Sequence, residues 1–342
     1  MGSENRSFQI LNTMVKTIYQ LSFEHNGHGG LRDQIVKVVE KTQPGIVSFQ
    51  AFIPEQCRSS EILGSIRQGT GVIINPQGHI LTVGYLIMEA TEVHVIFADD
   101  TVAQAEVAGI DFDSGLGMLR LKTALELSPL TLGNSARVAD DQLTLTIGGS
   151  TGEQSRIVTN GRIFAAEPFI GYWEYLLERA FYVVPQNPAF GGSPLLNIEG
   201  EVIGIVSLQL NQHQGMNLAI PVELLAPVER ELITYGRVLS RRPKTWIGVY
   251  HAPYTEGVIV IDVVAEGPAA KAGLQKGDVL THLDETLLES EEHFLRQLWE
   301  IPIHAPFDLT FFRRNSRRTI SMAGIDRAEF YNIGGSAAYF DH

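Results

Sequence analysis

Short apolar runs separated by turn-forming residues occupy the chain from residue 46 to about residue 235. The runs include IVSFQAF, EVHVIFAD, LGMLRLK, QLTLTIGG and EVIGIVSLQL, with glycine, proline, asparagine and aspartate between them. Many short strands at regular spacing are typical of an all-β barrel or sandwich. Roughly 190 residues are too many for one such barrel and suit two. The pattern therefore predicts a mainly β protein built on two antiparallel barrels.

The N-terminal residues show helical spacing of apolar side chains instead of short strands. Residues 1–30 form a predicted helical extension, because apolar side chains recur at helical spacing at Leu11, Met14, Val15, Ile18 and Leu21. A second helical pattern covers Ile35–Val39 and ends before Pro44. Residues 31–235 are then the barrel domain, and the basic stretch 236–245 is a linker.

Residues 246–325 have the pattern of a compact α+β module. Within it, SEEHFLRQLWEI at 290–301 is the one clear helix, with Ser290 as the expected N-cap. Residues 326–342 form a C-terminal tail whose aromatic side chains either dock on a neighbouring groove or stay disordered.

Charge and cysteine content exclude some classes of partner and predict a compartment. The formal net charge of −13 argues against nucleic acid and anionic membranes as partners. Cys57 is the single cysteine, so an intrachain disulfide is impossible, and its thiol is expected to be inert. The first residues lack the pattern of a signal peptide, and no run of apolar residues is long enough to span a membrane. These features predict a cytoplasmic protein.

Three blocks of sequence resemble the HtrA (DegP-like) family of trypsin-fold serine proteases. The blocks are GTGVIINPQGHILTVGYLI at 69–87, NPAFGGSPLLNIEGEVIGIVS at 187–207 and MNLAIPVELL at 216–225. The module at 246–325 resembles the PDZ domain that follows the barrels in that family, most clearly in AEGPAAKAGLQKGD. The resemblance implies two trypsin-like barrels followed by an α+β PDZ domain, and it implies oligomers, commonly trimers, to which the Leu11–Leu21 stripe would contribute. The same stripe fits packing against the chain's own barrels.

The family's catalytic triad maps onto residues of other types. Its histidine falls on Tyr85, its aspartate on Gly115 and its serine on Gly191. A phenol has a reference pKa near 10, and glycine offers neither a carboxylate nor a nucleophile. The resemblance therefore predicts three vacant triad positions and no catalytic residue.

Neighbouring residues of the required types do not fit the vacant positions. Ser193 and Asp113 each lie two positions away, which is roughly 6.6 Å along an extended chain. His79 and His94 fall in predicted strands away from Tyr85. Backbone N–H groups at Ala189 and Gly191 remain as oxyanion donors, although Phe190 between them is expected to plug the cleft.

The PDZ resemblance implies a peptide-binding groove. Its turn at Ile247, Gly248 and Val249 would capture the carboxylate of a peptide C-terminus, and the peptide would add a strand to the sheet. On the helix, Glu291, Leu295 and Leu298 lie on one face. The leucines predict a pocket for a hydrophobic C-terminal residue, and Glu291 predicts a preference for a cation upstream. The alternative is that these leucines are simply core residues.

These observations predict a catalytically inactive, HtrA-like adaptor or chaperone-like subunit that binds protein C-termini or extended peptides. It would be a homo-oligomer or part of a mixed complex, with no cofactor and no metal. The alternative is an active serine endopeptidase with relocated catalytic residues. A third possibility is metal binding by His25 and His28, which lie in a glycine-rich loop, together with other histidines.

Overall fold

A computed structural model describes residues 29–149, 156–210 and 215–333 of the chain. The predicted stripe at Leu11–Leu21 and the two histidines His25 and His28 lie outside these residues. The first described element is the helix Gly29–Thr42, which contains the second helical pattern. It buries Ile35 and Val38, and the Thr42 hydroxyl donates to the Val38 carbonyl. Pro44 lies in the following 3₁₀ turn, Gln43–Gly45, because proline cannot continue a helix.

The first barrel closes from six antiparallel strands in the order β1-β2-β3-β6-β5-β4. The strands are β1 (Ile46–Phe52), β2 (Ile66–Ile73), β3 (His79–Val83), β4 (Glu92–Ile96), β5 (Val102–Ile110) and β6 (Leu116–Leu121). Strand β1 closes the barrel because it pairs with both β2 and β4. Its residue Phe49 is fully buried and lies opposite Gly69 of β2 and Val95 of β4.

The second barrel also has six strands, in the order β10-β11-β12-β9-β8-β7. They are β7 (Leu143–Gly148), β8 (Ile157–Gly171), β9 (Tyr175–Val184), β10 (Pro194–Leu196), β11 (Val202–Leu210) and β12 (Met216–Pro221). Strand β7 pairs with both β10 and β8, which closes the ring. Alternating side chains such as Phe181, Val183 and Ile203 form the core of this barrel. The prediction of two antiparallel barrels is therefore confirmed.

Short helical segments lie between the barrel strands or follow the last of them. They are the helices Ser60–Leu63, Gly84–Ile87 and Glu229–Tyr235, and the 3₁₀ turns Ser135–Arg137 and Val222–Leu224. The turn Gly84–Ile87 follows β3 directly and carries Tyr85.

The C-terminal module is an α+β fold, as predicted. Its strands are β13 (Thr245–Trp246), β14 (Val249–Tyr254), β15 (Gly257–Val263), β16 (Val279–Leu283), β17 (Thr286–Leu287), β18 (Pro306–Arg313), β19 (Ser316–Ala323) and β20 (Ile325–Asp326). The main sheet has the order β14-β15-β16-β18-β19, with β17 paired to β16. Helices Pro268–Ala272, Glu291–Glu300 and Arg327–Phe330 complete the module, and the predicted N-cap Ser290 accepts a hydrogen bond from the His293 N–H.

The predicted tail begins with ordered structure. Phe330 and Tyr331 are buried and pack against the ring of Trp246. This packing also places β20 beside β13 at the start of the module. The sequence pattern did not reveal it, because aromatic residues in a short segment without periodicity give no indication of what they contact.

The chain divides into two compact units. Among the described residues, one unit comprises those up to residue 167 together with 179–234, and the other comprises 168–178 and those from residue 235 onward. The second unit thus includes the tip of the β8–β9 hairpin, which the predicted domain boundaries placed with the barrels. Those boundaries stay a prediction. None of the helices in the described part of the chain is both long and apolar enough to cross a membrane.

Candidate functional site

The first candidate site comprises the three positions where the family resemblance expects a catalytic triad. Tyr85 follows β3, and Gly191 lies in the loop before β10. A Cβ atom built on Gly191 would lie 3.4 Å from the Tyr85 hydroxyl oxygen. The Gly115 carbonyl accepts a hydrogen bond of 2.8 Å from the N–H of Gly84, the residue before Tyr85. The fold therefore brings the three positions together, and their assignment as triad positions stays a prediction.

Tyr85 is tied into the site as a neutral hydrogen-bond donor. Its hydroxyl donates to the Ser207 carbonyl at 3.0 Å. Burial raises the pKa of the Tyr85 phenol above its ordinary value, so the group keeps its proton at neutral pH. Arg67 holds the backbone of the same turn, because its Nη1 donates to the Tyr85 carbonyl at 2.7 Å. A protonated phenol in this position can donate a hydrogen bond but does not act as a general base that accepts a proton.

The loop that carries Gly191 satisfies its polar groups internally. The Ala189 N–H, one of the two expected oxyanion donors, donates to Asn187 Oδ1 at 2.8 Å. Ser193 is fully buried, and its hydroxyl donates to the Ala189 carbonyl. Phe190 packs against the core of the second barrel. This arrangement directs the Ser193 hydroxyl into the loop rather than toward Tyr85.

Around Gly115 the nearest buried carboxylate is Asp111, which the sequence did not single out. Its Oδ1 accepts from the Asp113 N–H at 3.1 Å, and its Oδ2 accepts from the Ser114 hydroxyl at 2.6 Å. Asp111 is only 4% exposed. These bonds form an Asx-type turn that sets the approach of the chain to β6.

The two candidate histidines of the first barrel lie apart from Tyr85. His79 begins β3, and the length of that strand, about 13 Å over four residue steps, separates it from the turn that carries Tyr85. Its Nδ1 lies 3.1 Å from Asn75 Oδ1. His94 lies in β4 and pairs with Glu92 at 2.6 Å. Neither imidazole is brought to the predicted catalytic positions.

Cys57 does not have the surroundings of a reactive thiol. It is a free, partly exposed cysteine. Burial and the nearby Glu89 carboxylate raise the pKa of the thiol, which lowers the fraction of nucleophilic thiolate. Within the described ranges, no group of three or more metal-ligating side chains is assembled.

The second candidate site is the predicted peptide groove of the C-terminal module. Ile247 and Val249 are buried, and Gly248 between them has a φ of +81°. On the helix, Leu295 and Leu298 are fully buried in the same apolar cluster as Ile247 and Val249. The predicted turn and the predicted helix face are thus adjacent.

Glu291 occupies the first turn of the groove helix and contacts a histidine that the sequence analysis did not select. Its Oε1 lies 2.8 Å from Nδ1 of the buried His251 in β14. The predicted preference of Glu291 for a cation upstream in a peptide stays a prediction.

The carboxylate-binding turn itself holds a carboxylate of the chain. Oε1 of Glu174 accepts from the N–H groups of Gly248 at 2.7 Å and of Val249 at 2.8 Å. Oε2 of Glu174 accepts from the Ile247 N–H at 3.1 Å. In the sequence, Glu174 is a charged residue in a hairpin turn, and nothing in its neighbourhood indicates this contact.

Opposing effects act on the Glu174 carboxyl group. Its burial raises the pKa, because the charged form loses solvation. The N–H donors of Val249 and Ile247 and the nearby His251 and Arg327 lower it, and the net direction is upward. Three donors that converge on one carboxylate are the arrangement with which a PDZ turn binds a peptide C-terminus.

Both parts of this geometry have counterparts among known protein families. Residues 69–205 match the trypsin-like peptidase domain, and residues 245–323 match the PDZ domain. A probable periplasmic serine endoprotease DegP-like of Pseudomonas fulva is 28% identical over 299 residues, which are 80% of this chain and 60% of that protein. The chain is similar to DegP-like serine endoproteases over most of its length. Protease Do-like 1, chloroplastic, of Arabidopsis thaliana is also 28% identical, over 84% of this chain and 70% of the relative.

Solved structures of HtrA-type proteases have the same fold. An HtrA-type protease AlgW with decapeptide superposes with a TM-score of 0.53 at 21% identity, over 85% of this chain and 98% of that one. A serine endoprotease from Yersinia pestis gives 0.52 at 23% identity, over 89% of this chain and 99% of the other. The HtrA/DegP-like chain spans about 55–60% of the length of the first bacterial relatives it matches.

Two predictions from the sequence are contradicted by these comparisons. The HtrA/DegP-like chain was expected not to be an enzyme, but its relatives are named serine endoproteases, which points to a protease. A cytoplasmic location was also expected, but the bacterial relatives are named periplasmic. Both predictions relied on what the sequence lacks.

Proposed function

We propose that this HtrA/DegP-like chain binds the C-terminal ends of polypeptides in its PDZ groove. The observation that carries the proposal is the convergence of the Ile247, Gly248 and Val249 N–H groups on one carboxylate. Because β14 is the edge strand of the sheet and continues from that turn, a bound peptide would extend the sheet. Structures of the HtrA-type protease AlgW with a decapeptide and with a tripeptide support peptide binding by a chain of this fold.

The ligand proposed for this groove is an extended peptide with a free α-carboxylate and an apolar last residue. The apolar preference follows from the cluster that Ile247, Val249, Leu295 and Leu298 form beside the turn. Assembly into a trimer or a mixed complex, and a chaperone-like use of the bound peptide, are parts of the same proposal. A periplasmic location is proposed from the names of the bacterial relatives.

A matched pair of peptides tests the binding proposal without altering the protein. A labelled decapeptide ending in leucine is titrated with the full chain by fluorescence anisotropy, once with a free carboxylate and once as the C-terminal amide. Hydrogen bonds to a charged acceptor contribute about 1.5–3 kcal/mol, so the free acid should bind at least about tenfold more tightly. Equal affinity for the acid and the amide would refute carboxylate recognition.

The second candidate function is serine endoproteolysis, which the names of the relatives favour. Such an activity requires a serine nucleophile and a base from positions other than Tyr85, Gly115 and Gly191. The two glycines have no side chain, and burial keeps the Tyr85 phenol protonated. Ser193 is the nearest candidate in sequence, and it would have to turn its hydroxyl away from the Ala189 carbonyl to act.

A covalent probe tests this candidate without assuming which serine reacts. The full chain is incubated with unfolded casein and, separately, with a fluorophosphonate, and the adduct is located by peptide mass mapping. Endoproteolysis predicts casein turnover and a single labelled residue, and Ser193→Ala should abolish both if Ser193 is the nucleophile. Ser128→Ala, at an exposed position of the same unit, is the control. Absence of both turnover and adduct would exclude this candidate.

A further inference from the structure

The tip of the β8–β9 hairpin is placed where a peptide would bind the PDZ module. Residues 168–178 belong to the compact unit of that module, although the strands on either side belong to the barrel unit. Within the tip, Leu176 is buried in the same apolar cluster as Ile247, Leu295 and Leu298, and Ile170 packs against that cluster. The tip therefore contributes apolar side chains to the groove in addition to the Glu174 carboxylate.

The backbone of the tip also pairs with the groove strand. The N–H of His251 in β14 donates to the Tyr172 carbonyl at 2.8 Å. Val249 and His251 are two residues apart, so their N–H groups lie on one edge of β14, and both donate to the tip. A peptide that extended the sheet would use the same two donors. The rings of Tyr172 and Tyr250 also pack, with centroids 5.8 Å apart.

Glu174 adopts an unfavourable backbone conformation to make these contacts. Its φ is +57°, in the left-handed region that costs a residue other than glycine about 1 kcal/mol. A glycine would be the ordinary choice at such a turn position. The three hydrogen bonds to the carboxylate offset this strain. A strained residue that is held by a binding site is an observation from which a functional role is inferred.

We propose that the segment Tyr172–Leu176 is a built-in ligand of the PDZ carboxylate site, so that a polypeptide C-terminus binds only by displacing it. The inference rests on the proposed peptide-binding function and adds its regulation. Two carboxylates cannot share the turn, because the three N–H donors are used and two like charges in a buried site repel strongly. Binding of a peptide is thereby coupled to release of a hairpin whose strands β8 and β9 belong to the second barrel.

Replacement of Glu174 by glycine is the sharpest test, because it removes the carboxylate and suits the left-handed backbone. The acid and amide decapeptides are titrated with the full wild-type chain, with Glu174→Gly and with the control Glu266→Gly. Glu266 is an exposed glutamate of the same unit with a φ of +60°. We expect Glu174→Gly to bind the acid peptide about tenfold more tightly or better, which corresponds to a wild-type site that is free less than about a tenth of the time. Glu266→Gly should match the wild type.

A second measurement keeps the proposal testable if Glu174→Gly unfolds. Glu174→Gln preserves the shape of the side chain and loses its charge, and hydrogen exchange reports protection of the Ile247, Gly248 and Val249 amides. We expect faster exchange at these amides in Glu174→Gln and an intermediate gain in peptide affinity.

The possible results separate this inference from the function on which it rests. Wild-type binding that distinguishes acid from amide, with no gain in either Glu174 variant, would overturn the built-in ligand and leave peptide binding intact. Failure of every variant to distinguish the two peptides would overturn both. Unchanged amide protection in Glu174→Gln together with unchanged affinity would show that Glu174 has only a structural role.

Discussion

Gly192, next to the predicted catalytic position Gly191, tolerates no side chain. Its φ is +81°, and a Cβ atom there would lie 2.0 Å from the Thr70 carbonyl oxygen and 2.3 Å from the Thr82 hydroxyl oxygen. Both oxygens are fixed, because the Thr82 hydroxyl donates to the Thr70 carbonyl at 2.8 Å. The loop between β9 and β10, which carries Gly192, is therefore packed directly against strands β2 and β3.

Gly192→Ala should lower the free energy of unfolding by about 2–4 kcal/mol, the range of severe single substitutions. Gly273→Ala is the control for backbone strain, since Gly273 is left-handed with a φ of +86° but has no neighbouring atom within 4 Å of the built Cβ. The control isolates the backbone strain and should cost about 1 kcal/mol. Urea unfolding of the three proteins measures both values, and equal losses in the two variants would contradict the steric argument.

His79 is expected to make the stability of the chain depend on pH. Burial and the nearby Arg120 lower the pKa of His79 below its ordinary value of 6.5. In the folded chain the ring therefore stays neutral while the unfolded chain takes up a proton. The contribution of the neutral His79 ring to the free energy of unfolding is complete above about pH 6.5. It is lost as the pH falls from there through the folded-state pKa.

Replacement of His79 by a side chain that does not titrate should remove its part of the pH dependence of the unfolding free energy. In His79→Gln, the fall in unfolding free energy between pH 7.5 and pH 5 should be shallower than in the wild type, within the one-proton limit of about 1.4 kcal/mol per pH unit. His94→Gln in the exposed part of β4 is the comparison. Parallel pH profiles for the wild type and His79→Gln, measured by urea titration, would disprove the assignment.

At the scale of elements, the groove helix Glu291–Glu300 begins as its sequence predicts. Ser290 accepts the His293 N–H at 3.0 Å, and the acidic residues Glu291 and Glu292 occupy the first turn, where the helix dipole favours them. Phe294, Leu295 and Leu298 are the buried face. The sequence alone predicts this helix, because the N-cap, the acidic first turn and the apolar spacing all lie within one short segment.

Ser290→Ala should destabilise the module by about 1 kcal/mol, because one N–H of the first turn loses its acceptor. Ser290→Asp keeps an acceptor and should retain most of the stability. Thermal unfolding followed by tryptophan fluorescence gives the ranking wild type, then Asp, then Ala. If Ala were as stable as the wild type, the cap would contribute nothing measurable.

At the scale of the whole molecule, the two compact units have separate cores and are expected to unfold in separate steps. All 3 tryptophans, Trp173, Trp246 and Trp299, fall in the unit formed by residues 168–178 and 235–342. Tryptophan fluorescence therefore reports that unit, whereas far-UV circular dichroism reports the strands of both.

Phe294→Ala should lower the unfolding free energy of the PDZ unit by about 3–5 kcal/mol, because Phe294 is fully buried in its core. The fluorescence transition should therefore move to lower denaturant concentration. Phe181→Ala in the core of the second barrel should instead move the dichroism transition that fluorescence does not follow. A single transition that shifts identically by both probes in both variants would contradict independent cores.

The sequence was sufficient for the barrels, for the PDZ module and for the turn at Ile247–Val249, because strand alternation, turn residues and motif spacing are local properties. It also identified Tyr85, Gly115 and Gly191 as related positions, which the fold places together. The contact of Glu174 with the turn at Ile247–Val249, 73 to 75 residues further along the chain, depended on the three-dimensional fold. Local patterns give the conformation of a hairpin but not what its tip will touch, because that contact joins two segments that are far apart in the sequence.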